Sequence, residues 1–183
     1  MKIVTIPHPT LRKKAKPVEA VDKKLKQFVK ELEQTLAGTR QPIGVGLAAN
    51  QVNDLHRVFA TNINQELRLF INPRIVNQSQ KIIFGAKAKE EYLEGCLSIP
   101  GIYGPVPRYQ WVELAYELIE SEDLKTKTEK FDDFAARVIQ HELDHLNGIL
   151  FIDYTLKNDL VLYQENKTTN KLEAIDSALF QYV

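Results

Sequence analysis

Two histidines four residues apart, His141 and His145, stand in the stretch QHELDHLNG with Glu142 beside the first and Asp144 beside the second. On a helix the two imidazoles lie one turn apart on the same face, spaced to grip one metal ion. Phe134, Val138, His141 and His145 fall at i, i+4, i+7 and i+11, a single stripe, so both histidines are expected on the apolar, buried side. An unpaired polar group there costs roughly 1–3 kcal/mol, and a shared ion relieves both rings at once. Glu142 lies about 100° round the helix from His141. Its carboxylate can then reach a water on the ion without being a ligand, and accept and return that water's proton. Asp144 reads equally well as a group orienting a ligand from behind or as a surface salt bridge.

A third ligand is needed. No histidine follows His145, and the acidic residues downstream that remain as alternatives are Glu165 and Glu173. Upstream, Cys96 follows Gly95 in EGCLSIP, a segment without helix or strand period. Cys96, His141 and His145 make a three-ligand set with a fourth position open to water, the arrangement of a catalytic rather than a structural site. One thiolate and two imidazoles suit iron, zinc, cobalt or nickel without choosing among them.

The elements that must hold these residues follow from periodicity. VDKKLKQFVKELEQTLAG, with Leu25, Phe28, Val29, Leu32 and Leu36 at helical spacing and Gly38 behind them, reads as an N-terminal amphipathic helix. MKIVTIP, HRVFAT, LRLFINPRIV and ILFIDY read as strands. WVELAYELIE puts Val112, Leu114, Tyr116 and Leu118 on one face and Glu113 and Glu117 on the other, and folds through SEDLK into a hairpin with KTEKF. Lys87 to Glu91 reads as a charged segment leading into EGCLSIPGIYGPVPR, whose glycines and prolines mark an irregular stretch. Asp132 or Asp133 caps the histidine-bearing helix, Asn147 and Gly148 close it, and the tail from Leu156 has mixed helical character. Strands first and then the site helix indicate an α+β fold in a single domain over residues 1–183.

At 183 residues with no net charge, the chain carries one core and no charge signature of a nucleic-acid or anionic-membrane partner. No apolar run approaches the roughly 20 residues of a membrane span. Cys96 is the only cysteine, so no intrachain disulfide forms and a reducing compartment is favoured. Gly44, Gly46 and Ala49 match a dinucleotide fingerprint, but AGTRQP ahead of them is not a buried strand and no βαβ unit follows.

GVGLAANQ, EGCLS and QHELDHLNG, in this order and spacing, resemble the three motifs of peptide deformylases, written GxGLAAxQ, EGCLS and QHExDHLxG. IPHPTLRKKAKPV resembles that family's opening segment, and the likeness covers roughly residues 1 to 155. The resemblance implies antiparallel β-sheets around a central helix carrying the histidines, with an N-terminal and a C-terminal helix. It implies a metallohydrolase that removes the N-formyl group from the initiator methionine of nascent polypeptides. Cys96, His141 and His145 would be the ligands and Glu142 the general acid/base. The Gln51 side chain and the Leu97 backbone N–H would hold the oxyanion as metal-bound hydroxide attacks the formyl carbon. It implies one divalent ion per chain, natively ferrous iron, with zinc, nickel or cobalt as substitutes. Gly44, Val45 and Gly46 would run beside the substrate backbone, with Val45 touching the methionine, and Phe134 and Val138 are candidate walls of its pocket. Many relatives carry an arginine soon after EGCLS, where this chain has Tyr103, with Arg108 further on. Partners implied are N-formylmethionyl nascent peptides. The tail after Leu156 is not markedly basic, so contact with the ribosome near its tunnel exit stays open, and no membrane partner is expected. The expected compartment is the bacterial cytoplasm, or an organellar stroma or matrix if a presequence has been removed. Two other classes stay open: a peptidase cutting internal bonds by the same chemistry, and a non-catalytic module whose metal only holds the fold.

Overall fold

The cleanest alternation in the chain becomes its longest hairpin. β10 (Trp111–Glu120) pairs antiparallel with β11 (Asp123–Asp132) through a two-residue turn between Glu120 and Asp123, where Ser121 takes a positive φ of 60°. Val112, Leu114 and Tyr116 are buried on one face. This is a computed structural model, which describes every residue except Gly85, Ala88, Lys89, Tyr92, Lys167, Asn170 and 181–183; for residues 86, 87, 90 and 91 it describes the backbone alone.

β10 also pairs with β3 (Glu66–Gln78), β3 with β2 (Val58–Ile63), and β2 with β1 (Gly46–Ala48), giving an antiparallel sheet ordered β1-β2-β3-β10-β11. Asn64 and Gln65 turn β2 into β3 with φ of 53° and 66°, the left-handed pair that matches strand twist in a tight hairpin. Both faces are covered, so β2 reads VFAT without polar alternation. Val58 and Ala60 face α1 (Lys23–Ala37), whose Leu25, Val29, Leu32 and Leu36 are buried. Phe59 faces α2 (Asp133–Leu146), where Ala136, Ile139, Leu143 and Leu146 join a core stacked from Phe59, Phe70, Tyr116 and Phe131. Asp22 starts α1 by accepting the Leu25 N–H at 2.7 Å.

A second sheet, ordered β13-β12-β8-β7, is built from β7 (Glu94–Cys96), β8 (Ile99–Gly104), β12 (Leu162–Asn166) and β13 (Lys171–Ile175). Two small ladders, β4 (Ile82–Phe84) with β9 (Pro107–Tyr109) and β5 (Ala86–Lys87) with β6 (Glu90–Glu91), complete the strands. The helix α3 (Phe151–Lys157) buries Phe151 and Ile152 against Leu11, Ile99, Ile102, Val106 and Leu162. The fold is α+β, with antiparallel sheets around the helix that carries the histidines.

The structure corrects four local readings. MKIVTIP forms no strand, because its N–H groups bond to two separate loops, Val4 to Gln51 O at 2.8 Å and Ile6 to Ser98 O at 3.0 Å. EGCLSIPGIYGPVPR is three short strands, β7 to β9, with Gly101 at φ 77° in the middle one. ILFIDY is largely α3, started by the Asp153 carboxylate accepting the Leu150 N–H at 2.8 Å. The tail beyond Leu156 is chiefly the β12–β13 hairpin, so the C-terminal helix is α3, ahead of that tail. Lys87 to Glu91 falls partly outside the described residues. Among the described residues no helix is long and apolar enough to cross a membrane.

Candidate metal centre and active-site cleft

The periodicity that packs α2 on the first sheet sets His141 and His145 on its other side, ring centroids 4.9 Å apart. The carbonyl of His145 is tied to the Asn50 side-chain amide, which fixes the last turn of α2 on the segment after β1. Cys96 arrives from the second sheet. A register shift in the β7–β8 pairing between Gly95 and Cys96 re-aims the thiol, and Leu97 and Ser98 make the turn into β8. Cys96 Sγ lies 3.2 Å from His145 Nε2, and one donor atom from each of Cys96, His141 and His145 lies within 4.8 Å of the other two. His145 Nδ1 is buried without a hydrogen-bond partner. A soft sulfur and two imidazole nitrogens, converging this closely from two elements, fit a single divalent transition-metal ion. Glu165 and Glu173, the alternatives for the third ligand, lie instead on β12 and β13, where Glu173 accepts from Asn166 at 2.7 Å.

Gln51 closes the near side of the sulfur. It sits in a 3-10 turn (Ala49–Val52) directly after β1, where its Oε1 accepts the Ala48 N–H at 2.8 Å. Its Nε2 donates to Ser98 Oγ at 3.2 Å and to Cys96 Sγ at 3.5 Å. The Ser98 N–H also points at the sulfur, at 3.4 Å. GVGLAANQ is therefore a strand followed by a 3-10 turn, without the helix a dinucleotide site requires.

Behind His141 stands a residue the sequence reading passed over. Glu94 Oε2 lies 2.9 Å from His141 Nδ1, which leaves the opposite ring nitrogen for the metal position. Glu94 is 6% exposed, and Arg108 donates to it through Nε and Nη2, each at 2.8 Å. Arg137 adds a bond at 2.7 Å. Burial alone would raise the Glu94 pKa, but Arg108, helped by His141, holds it far below the usual carboxylate range. Arg108 Nη1 also pairs with Asp144, whose second oxygen accepts from Tyr154 at 3.0 Å. Asp144 thus reaches the centre by hydrogen bonds through Arg108 and Glu94, and its charge also acts on Glu142 and His141. Arg108, 3% exposed, is held by Glu94 and Asp144 and is not among the residues lining the cleft at Cys96 and Glu142. The sequence signal for Glu94 was its place two residues before Cys96, on the same side of a strand. It was hidden because that segment was read as irregular.

The titrations of the imidazoles diverge. Burial pushes both down; at His141 the hydrogen bonds it donates to Cys96 and Glu94 prevail and raise it well above the usual value. At His145 burial and the neighbouring His141 both lower it.

Glu142 is 3% exposed, and burial pushes its pKa up to about 7. Its Oε2 is buried without a partner. Opposite stands Gly46, where an added Cβ would meet Glu142 Oε1 at 2.2 Å, so no larger residue fits beside that carboxylate. Gly44 and Val45 continue this wall, and Phe134, Val138, Leu97, Ile102 and Tyr103 are among the other residues lining a cleft of about 240 Å³ that contains Cys96, His141 and Glu142. Val138 is buried, but Phe134 is 44% exposed: it belongs to the first turn of α2 and stands at the cleft, not in the core. Of the remaining histidines, His8 caps a 3-10 turn and His56 pairs with Asp54.

Comparison with known proteins points to one family. The sequence model of the polypeptide deformylase family matches residues 1–160. The peptide deformylase of Borreliella burgdorferi is 39% identical over 166 residues, 88% of this chain and 93% of its own. That of Brucella suis is 35% identical over 176 residues, 92% of this chain and 93% of its own. The crystal structure of peptide deformylase from Thermotoga maritima superimposes with a TM-score of 0.73 at 34% identity, covering 84% of this chain and 95% of that one. With a family match over most of its length, the chain belongs to the polypeptide deformylases and is an enzyme of that family.

Proposed function

We propose that the protein hydrolyses the N-formyl group of the initiator formylmethionine on nascent polypeptides, releasing formate, and that the whole chain, 1–183, is one catalytic unit. The observation that supports this most is the meeting of Cys96, His141 and His145 beside a buried, partner-poor Glu142 at the cleft. The three ligands would hold a divalent ion, ferrous iron in the cell with zinc, nickel or cobalt as substitutes. Such an ion supplies Lewis acidity, acidifying water and polarising the formyl oxygen.

The residues of the chain do the rest. Glu142 takes the proton of the attacking water and delivers it to the departing amine nitrogen; a carboxyl group poised near neutrality serves both directions. Gln51 turns one amide N–H from the sulfur to the developing oxyanion, and the Leu97 N–H is the second donor. Each such donor contributes on the order of 3–4 kcal/mol. The carboxylate of Glu94 keeps His141 in one orientation.

At about 240 Å³ the cleft falls below the roughly 300–1,000 Å³ that encloses a drug-sized ligand, and suits one side chain and a chain end. β1 stands at one end of the first sheet and β7 at one end of the second. An extended peptide lying along Gly44, Val45 and Gly46 gains main-chain hydrogen bonds without having its sequence read. Val45, Phe134 and Val138 then enclose the methionine side chain. The test is incubation with formyl-Met-Ala-Ser and with an unformylated, internally cleavable peptide. Formate from the first and no cutting of the second is the expected pair of results; cutting of the second identifies an internal peptidase instead.

A further inference from the structure

On the side of α2 opposite the active site lies a larger cleft of about 410 Å³, lined by Gln140, Leu143 and Asp144 of that helix and by Asn147 at its C-terminal cap. We propose that it binds a phosphate monoester carrying an apolar body.

Three guanidiniums line it; Arg108 is paired with Glu94 and Asp144, whereas among the described residues neither Arg57 nor Arg74 has a carboxylate within ion-pair distance. Arg57 is half-buried, and burial lowers its pKa, a cost no counter-ion in the cleft offsets. Three of its N–H groups are bonded within the fold: Nε and Nη2 donate to Pro73 O at 3.2 and 3.1 Å, and Nη1 to Asn147 Oδ1 at 3.1 Å. A guanidinium has five N–H groups, so two remain, on a side chain already held in place. Arg74 is exposed on β3.

The other charged groups of the cleft cancel. Asp144 is paired with Arg108 and accepts from Tyr154. The cleft therefore carries two positive charges to be matched. A phosphate monoester bears about −1.5 to −2 at neutral pH, against −1 for a carboxylate, and its oxygens fit the guanidinium fork. Ile75, Ile82, Pro107 and Tyr109 supply an apolar wall for the rest of the ligand. The volume lies within the range of small-molecule sites.

The experiment is a titration of zinc-loaded, nitrogen-labelled protein with phenyl phosphate, benzoate and phenol, followed by amide NMR. Phenyl phosphate is expected to saturate with shifts centred on Tyr109 and Asn147, benzoate to bind more weakly, and phenol to leave those amides unmoved. Arg74→Gln, a surface change, is expected to weaken phenyl phosphate about tenfold while formate release stays at the wild-type rate. Arg57→Gln is expected to weaken it further wherever the variant folds. Shifts confined to Leu97 and Ser98, which mark an anion at the metal centre, would overturn the assignment. So would benzoate binding as tightly as phenyl phosphate, or an Arg74→Gln titration identical to wild type.

Discussion

Glu142 and Gly46 set the chemistry through a contact that only glycine permits. Gly46→Ala places a methyl group where the carboxylate now lies, and the side chain must move by an ångström or more. A displacement of that size is expected to lower kcat about 10²-fold with metal content unchanged; steady-state kinetics beside elemental analysis checks both, and an unaltered kcat removes the contact from the mechanism. Glu142→Gln keeps the shape and removes the proton carrier. Turnover should fall about 10²–10⁴-fold while the protein stays folded and metal-loaded, which also separates a catalytic centre from a merely structural one. At this scale the sequence was most legible. Two histidines at i and i+4 with a glutamate between them state their geometry as soon as a helix is granted, and the missing third ligand pointed to the chain's one cysteine. The sequence suggests a close approach to substrate at Gly46, but the tightest neighbour there is Glu142, a contact that spans 96 positions of chain and leaves no local pattern.

β7, β9 and α2 are locked together by Glu94, Arg108 and Arg137, which are 6%, 3% and 6% exposed. Replacing Glu94 by Gln leaves the Arg137 guanidinium without a carboxylate in the interior and Arg108 with Asp144 alone. Breaking one partner out of a buried charge cluster costs about 3–5 kcal/mol, so the urea midpoint should fall steeply even in metal-free protein. A midpoint near wild type would show that water reaches the cluster and that the elements do not depend on it. Elements with strong period, such as α1, α2 and the β10–β11 hairpin, were readable because packing and local preference agree there. The readings of ILFIDY and of the tail failed for a physical reason. A short apolar run has no period to distinguish a buried strand from a buried helix, and it was the Asp153 cap and the docking of Phe151 and Ile152 into a core shared with the second sheet that decided for α3.

Across the whole molecule, acid sensitivity should come in part from the edge of the first sheet. Glu129 accepts from Arg68 at 2.8 and 3.1 Å and from Tyr116 at 3.0 Å, and the Arg68 bonds lower its pKa from 4.5 to about 2. A carboxylate depressed in the folded state binds fewer protons there than when unfolded. Its contribution is therefore complete above pH 4.5 and is lost as the pH falls from 4.5 towards 2. Glu129→Gln should flatten that part of the stability–pH curve, measured by thermal unfolding, and leave neutral pH less stable; parallel curves would contradict this. The account as a whole rests on one ion held between α2 and β7. The direct measurement is metal stoichiometry and formate release on the same anaerobically prepared sample, before and after chelation, for wild type and Cys96→Ser. One divalent ion per chain, activity that vanishes with chelation and returns with added metal, and a Cys96→Ser protein that binds the ion far more weakly are the predicted results. Undiminished formate release from metal-free protein, or full metal retention by Cys96→Ser, would contradict it.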